Sequence, residues 1–366
     1  MNRQSIQELI QSQENDHNLD QAFFCNQELF DLSYQSVFMK QWVFVTHASI
    51  FSSNSNTFNF HIQNNVIKIK KISKNKFSAK LSSNNKDCHI KVYESLIFIN
   101  LSSDPYDFEE FILPLKPFIE IHGLEDAKIA YEKEFIFNAS HLATIYNFKE
   151  CAHCTSQGTY GHKDYVGLHG SEYCNSYGAG VGSGIDSKEF ADRLYKWTKE
   201  TKARGNFVDD YTETTDKFFR IAERTPLKEN IFSETVDGSR ACSHLMGQFK
   251  DNYDDNGYTA IGFSPFNSFV ANTEFVILFV FVPVSTTKTI VKLMWCTHKD
   301  AEVDIEKMIF LWTITTQEDA ILCEINQKGI ESKSFVPGKY GKLETALVQY
   351  QKFYLNHLQN HLNTIV

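Results

Sequence analysis

The sequence predicts an α+β fold, and three observations carry that prediction. Short β-type runs separated by Asn/Ser clusters occupy the region from Trp42 to Asn100. Two longer apolar runs, residues 275–284 and 288–298, are joined by Ser285, Thr286 and Thr287 as in a hairpin. Helical periodicity then takes over to the end of the chain. Strands followed by capping helices are the ordering of a sheet with helices segregated to one side.

Each element has its own signal. Apolar residues at helical spacing mark a first helix around Ile6, Leu9 and Ile10, and a second through Leu29, Phe30, Leu32, Phe38 and Met39. Runs 58–62, 66–72 and 90–100 read as strands of a small antiparallel unit. The composition shifts at 103–106, a helix-like stretch covers 108–121, and the strongest element after it is a helix over 140–154. Residues 178–235 are polar and partly Gly-rich, which predicts a long loop with one helix over a cavity. The glycines at 178–184 are not a phosphate loop, because no Lys-Ser/Thr pair follows them. Thr315 with Glu318 has the form of a capping box, opening a helix over 316–328 before Gly329. A last helix is written in Leu343, Leu347, Tyr350, Tyr354, Leu358 and Leu362.

Bulk properties narrow the function classes. With 366 residues and 42% hydrophobic content the chain can bury a large core, so disorder is not the default. The net charge of −9 argues against nucleic acid or an anionic membrane as partner. The densest basic stretch, residues 68–76, alternates lysine with apolar residues like the outer face of a strand. Scattered cysteines and an N-terminus without an apolar signal-peptide core predict a soluble protein of the reducing cytosol. The longest apolar run has ten residues including Pro283, too short to span a bilayer.

One segment carries chemistry. On a helix, Asn147, Glu150 and His153 stand at i, i+3 and i+6 and share a face, with apolar Ile145, Phe148 and Cys151 beside them. An ionisable pair on a largely buried helix needs partners or a metal; a satisfied Glu/His pair in a core is the plain alternative. Asp319, in the first turn of the capped helix, is explained by the helix dipole alone.

Context changes the weight of both. Glu150-Cys151-x-His153-Cys154 resembles the E-C-Y-H-C segment of Rieske-type non-haem iron oxygenase α subunits, especially the branch acting on glycine betaine, choline and carnitine. Leu311 to Asp319, then Cys323-Glu324-x-Asn326-Gln327-x-Gly329, and Phe335-Val336-Pro337-Gly338-x-Tyr340 resemble further signatures of that family, in the same order. Leu245-Met246-Gly247, Gly257-Tyr258-Thr259 and Phe263-x-Pro265-Phe266 add landmarks, as does the stretch from Gln21 to Val45. The resemblance implies a helix-grip (START-like) catalytic domain over 106–366, preceded by a helical segment, 1–44, and a truncated, β-rich remnant of a Rieske domain, 45–105. It implies Fe(II) held by two histidines and one carboxylate, with His153 as the first histidine, Asp319 as the carboxylate and Glu150 as the acidic bridge for electron transfer from a neighbouring subunit. The family also implies a homotrimer and a reductase or cluster-bearing partner.

The chain departs from the family at two places. The second histidine's position, five residues after the first, is Gly158, leaving Gln157 or His162 as the substitutes within reach. A Rieske cluster needs C-x-H and C-x-x-H, yet between Trp42 and Asn100 the lone cysteine is Cys88, and His47, His61 and His89 do not stand two residues after a cysteine. A [2Fe–2S] cluster is therefore not expected, and the Fe(II) site is expected to be partial at most. Three readings remain open: a degenerate, silent paralogue; an active subunit fed electrons by a cluster-bearing partner; and a cluster-free module binding a small molecule such as a quaternary amine through cation–π contacts.

Overall fold

The computed structural model describes residues 1–51, 55–63, 65–73, 76–150, 152–155, 161–176, 188–251 and 253–364. Two antiparallel sheets organise the chain. The first has six strands: β1 (Val43–His47), β2 (Thr57–Ile62), β3 (Asn65–Ser73), β4 (Lys76–Leu81), β5 (Asp87–Tyr93) and β6 (Leu96–Asn100), in the order β1-β6-β5-β4-β3-β2. The second has seven: β7 (Ala127–Phe137), β8 (Asp210–Thr214), β9 (Phe219–Pro226), β10 (Gly257–Ser264), β11 (Asn267–Ala271), β12 (Phe275–Ser285) and β13 (Lys288–His298), in the order β7-β13-β12-β11-β10-β9-β8. Mixed helix and sheet, with strands grouped and helices laid against them, is the α+β class expected.

The lysine alternation holds as predicted, with Ile67 and Ile69 buried and Lys68 and Lys70 exposed on β3. The β12–β13 hairpin also forms, with Phe275 opposite Thr297 and Pro283 opposite Thr289. The sheets are tied by backbone mimicry: the Asn267 amide donates to the Phe44 carbonyl at 2.9 Å and its oxygen accepts from the Phe44 N–H at 3.0 Å. Phe44 then packs edge-on against Phe263, with ring centroids 5.3 Å apart.

Five expectations need correction. Residues 90–100 are not one strand but a hairpin, because Glu94 and Ser95 take positive φ (47° and 60°) and fold β6 back on β5. The stretch 108–121 is cut into turns, Phe108–Ile112, Leu113–Leu115 and Lys116–Glu120, by Pro114 and Pro117, whose rings and missing N–H groups interrupt a continuous helix. The helix expected over 140–154 spans His141–Asn147 only. Phe148 leaves it to pack against Phe281 of β12, with centroids 4.9 Å apart. Within 178–235 the helix Lys188–Ala203 is joined by two unforeseen strands, β8 and β9. Their charges disguised them: Arg220 pairs with Glu213, and the buried Arg224 pairs with Asp255 at 3.1 Å. The glycines at 178–184 lie outside the described residues. Finally, the capped helix is Ile305–Ile330, opened by Asp304, whose side chain accepts from the Lys307 N–H. Thr315 is interior to it, so Asp319 is nowhere near a helix N-terminus.

This long helix lies across β7 and against helix His141–Asn147. The C-terminal helix, Thr345–Thr364, is as predicted and packs on the N-terminal helices, where the Tyr354 and Ser33 hydroxyls meet at 2.6 Å. Among the described residues, no helix is long and apolar enough to cross a membrane.

Candidate metal centre

Three segments meet between the long helix and the floor of the second sheet. Helix His141–Asn147 delivers Asn147, the turn at 152–155 delivers His153, and the N-cap of helix Lys163–His169 is His162. All face Asp319, which is 3% exposed in the middle of helix Ile305–Ile330. The shared-face argument for Asn147, Glu150 and His153 fails, since the helix stops at Asn147, but the tight turn brings the same residues to the same point.

Asp319 Oδ1 is the centre of the arrangement. His162 Nε2 stands 2.9 Å from it, His153 Nε2 3.3 Å, and the Asn147 amide donates to it at 2.6 Å. The outer nitrogens are held too: His153 Nδ1 lies 2.5 Å from Glu150 Oε1, and His162 Nδ1 2.7 Å from Glu318 Oε2. The two rings are nearly perpendicular, 88°, with centroids 4.9 Å apart. Glu150 also accepts from the Ala152 N–H, which fixes the turn. The His162 N–H donates to the Cys154 carbonyl at 3.1 Å, so the backbone seats that histidine as well.

Electrostatics follow from this geometry. Burial alone lowers the His153 imidazole, but the hydrogen bonds to Asp319 and Glu150 outweigh it and raise it to about 11. His162 is likewise lowered by burial and raised, on balance, by Asp319 and Glu318. Burial would raise the Asp319 carboxyl, yet the two imidazoles hold it well below the usual carboxylate range. Such a cluster asks for positive charge at the point where the Nε2 atoms and Oδ1 converge.

The donor set fits a divalent non-haem metal. Each imidazole gives its Nδ1 side to an outer carboxylate and aims Nε2 inward, the arrangement that fixes the tautomer of metal-binding histidines. Separations of 2.9 and 3.3 Å match neighbouring ligands around one ion, which at bond lengths of roughly 2.1 Å stand roughly 3 Å apart. His153, Cys154 and His162 also form a group whose ligand atoms lie within 4.8 Å of one another. The Cys154 sulfur is 3.8 Å from His153 Nε2, but two imidazoles with an oxygen ligand, not a thiolate, are the set that suits Fe(II).

The sequence named Glu150, His153, Asp319 and His162, and all four stand here. Gly158 and Gln157 lie outside the described residues. Glu318 was read only as a capping partner, although its position beside Asp319 was a signal that it faces the same turn. A cavity of about 820 Å³, its open mouth included, extends from the cluster over β9–β12. Its other polar walls, Lys149 and Glu223, had no sequence signal, because a charge in a strand or turn reads as solvated.

Comparison with known proteins agrees with this architecture. Residues 190–360 match the family described as "Ring hydroxylating alpha subunit (catalytic domain)". The glycine betaine monooxygenase oxygenase subunit of Pseudomonas aeruginosa (strain UCBPP-PA14) is 23% identical over 415 residues, covering 98% of this chain and 93% of that protein. Its counterpart in Chromohalobacter salexigens is 26% identical over 280 residues, 73% of this chain and 58% of that protein. The quaternary ammonium Rieske monooxygenase CntA superposes with a TM-score of 0.62 at 14% identity, covering 97% of this chain and 98% of that one. Naphthalene 1,2-dioxygenase from Rhodococcus sp. does so with 0.64 at 13%, covering 100% and 99%. The family match over residues 190–360, the oxygenase relatives and the shared fold all point the same way: the chain is similar to Rieske-type non-haem iron oxygenase α subunits.

Proposed function

We propose that this chain is an atypical oxygenase α subunit, cytosolic and without its own [2Fe–2S] cluster, whose mononuclear iron site is His153, His162 and Asp319. The observation that carries the reading is His162 Nε2, 2.9 Å from Asp319 Oδ1 and held from behind by Glu318. A partial site was expected from the sequence; the approach of His162 supports a complete one, with the second histidine moved four residues along the chain.

The division at about 44 and 105 is part of the proposal, with the first sheet as the remnant of a Rieske domain. Absence of the cluster is supported by how the remaining Cys and His residues are spread. His47 hydrogen-bonds the Leu124 carbonyl at 2.9 Å, His61 lies on β2, and Cys88 and His89 follow one another on β5, pointing to opposite faces. Alignment over 415 positions with a chain of 366 residues further means that the relative carries segments this chain lacks.

When bound, Fe(II) would supply O₂ activation at open coordination positions. The chain's own residues do the rest. Glu150 and Glu318 orient the imidazoles, Asn147 orients Asp319, and Phe279 and Trp312 give the cavity an apolar wall. Glu150 is the exit of an electron route from a neighbouring subunit, so reduction depends on a cluster-bearing partner. A quaternary amine is the substrate class, as the names of the glycine betaine and quaternary ammonium monooxygenases above suggest for those proteins.

The test is metal analysis with a visible spectrum on anaerobically purified, Fe(II)-supplied protein. One iron per chain without the brown absorption of a cluster is expected, and glycine betaine should be consumed only when a reduced cluster-bearing subunit is added. A cluster spectrum, or failure to hold iron, overturns the reading. Iron without turnover under every donor would leave the cavity as a binding module.

A further inference from the structure

One charge in the cavity has no work in the metal centre. Lys149 follows the end of helix His141–Asn147, is 5% exposed, and lines the cavity. Among the described residues no carboxylate or carbonyl pairs with its ammonium; its one close partner is the Phe219 ring, 5.8 Å from Nζ to the centroid. Buried lysines nearly always have a counter-charge, because an ammonium out of water is costly without one. The carboxylates of the metal centre, Glu150, Glu318 and Asp319, are turned to the histidines instead.

The floor beneath is shaped for this ammonium. A Cβ on Gly262 of β10 would come within 2.8 Å of Lys149 Nζ, so a larger residue there would push the ammonium from this position. Gly262 pairs with Ile221 on β9, and two residues further along the same face Ala260 pairs with Glu223. Glu223 is 2% exposed, accepts from the Tyr173 hydroxyl at 2.7 Å and also lines the cavity. The floor thus carries a positive group and a negative group about 7 Å apart, at ~3.3 Å per strand residue.

We propose that Lys149 is the anion anchor of the cavity: its ammonium takes the carboxylate of a short zwitterion whose cationic end lies toward Glu223 and the rings of Tyr173 and Tyr258. This deepens the proposed function, since it rests on the cavity being the substrate site, and it selects amino-carboxylates over amino-alcohols within that site. Burial lowers the Lys149 ammonium to about 8, a charge held less firmly than a surface lysine's and restored by a bound carboxylate.

Calorimetric binding of glycine betaine and of choline separates the two classes, since they share a trimethylammonium head and differ at the carboxylate. The titrations are run on protein as purified and after metal removal, so they do not depend on the iron site. Wild type should prefer glycine betaine, and Lys149→Met should lose that preference on the order of 30-fold or more while binding choline as before. Gly262→Ala, which crowds the ammonium without removing it, should weaken glycine betaine in the same sense. Thermal unfolding of Lys149→Met should not drop, because an unpaired buried charge is replaced by a thioether of similar length. A wild type without the preference, a preference that survives in Lys149→Met, or a variant whose melting temperature falls as far as its affinity each overturns the assignment. Loss of iron with the preference intact would count against the metal centre alone.

Discussion

At the scale of single residues, His162 decides what the site is. It is 2% exposed, bonded on one side to Glu318 and on the other to Asp319, so removing its ring strips the buried Asp319 carboxylate of one of its two imidazole partners. His162→Ala should therefore abolish stoichiometric Fe(II) binding, a loss greater than the roughly 10–100-fold typical of outer-shell changes. Asn147→Leu, which removes the amide at 2.6 Å from Asp319 but no ligand, should cost on the order of tenfold in affinity. Competition with a metal chelator measures both; equal loss in the two variants would mean that His162 is not a ligand. How much of this was legible is uneven. His153 and Asp319 could be read because motif and position coincide with the family. His162 could only be offered as a substitute, because a histidine nine residues from another says nothing of direction until the chain between them is folded. Lys149 and Glu223 could not be read at all, since burial of a charge is a tertiary fact.

Secondary elements fail or succeed in the sequence by what ends them. The β5–β6 hairpin was missed because its turn residues, Glu94 and Ser95, lack the Asn-Gly signature that a two-residue turn with both φ positive prefers. Ser95→Gly should accordingly stabilise the protein by about 0.5–1 kcal/mol, read as a higher urea midpoint with metal content unchanged. An unchanged or lower midpoint would mean the turn is not strained. The long helix was found but started eleven residues late, because the Thr315–Glu318 pattern satisfies the capping-box rule while Asp304 does the capping. Asp304→Ala should cost about 1 kcal/mol. The loss should leave Asp319 in register, since the intervening turns stay packed on β7. Chemical denaturation with iron content measured in parallel tests this; if iron were lost along with stability, the cap would be steering the site. Strand β9 remained hidden for the opposite reason: Arg220, Glu223 and Arg224 make a core strand look like a solvated loop, and only the partners Glu213, Tyr173 and Asp255 explain their burial.

For the molecule as a whole, buried neutral histidines set the response to acid, His122 and His141 among them, and one stands at the junction between the two sheets. His47 closes β1 and bonds the Leu124 carbonyl just before β7, almost fully buried. Burial lowers its imidazole to about 4, the hydrogen bond to Leu124 offsetting only part of that. His357, buried in the C-terminal helix beside Gln41, is lowered to about 4 for the same reason. Both are neutral when folded and become charged more readily when unfolded, near the free histidine value of ~6.5. Below that value the unfolded chain binds more protons, so the stability they confer is full above pH 6.5 and is lost as pH falls toward 4. His153, raised to about 11, works the other way, but its contribution is complete below pH 6.5 and so adds little slope in this window. His47 alone should account for about 2–3 kcal/mol between pH 7 and 4.5. His47→Gln keeps an amide that can donate to Leu124 and removes the titration. Its urea-unfolding free energy should therefore be lower than wild type at pH 7 yet fall less steeply toward pH 4.5, and parallel curves for the two proteins would show that acid enters elsewhere. The two sheets would then separate at a contact other than β1 against the turn before β7, which would move the weak point of the fold away from the junction that also frames the cavity.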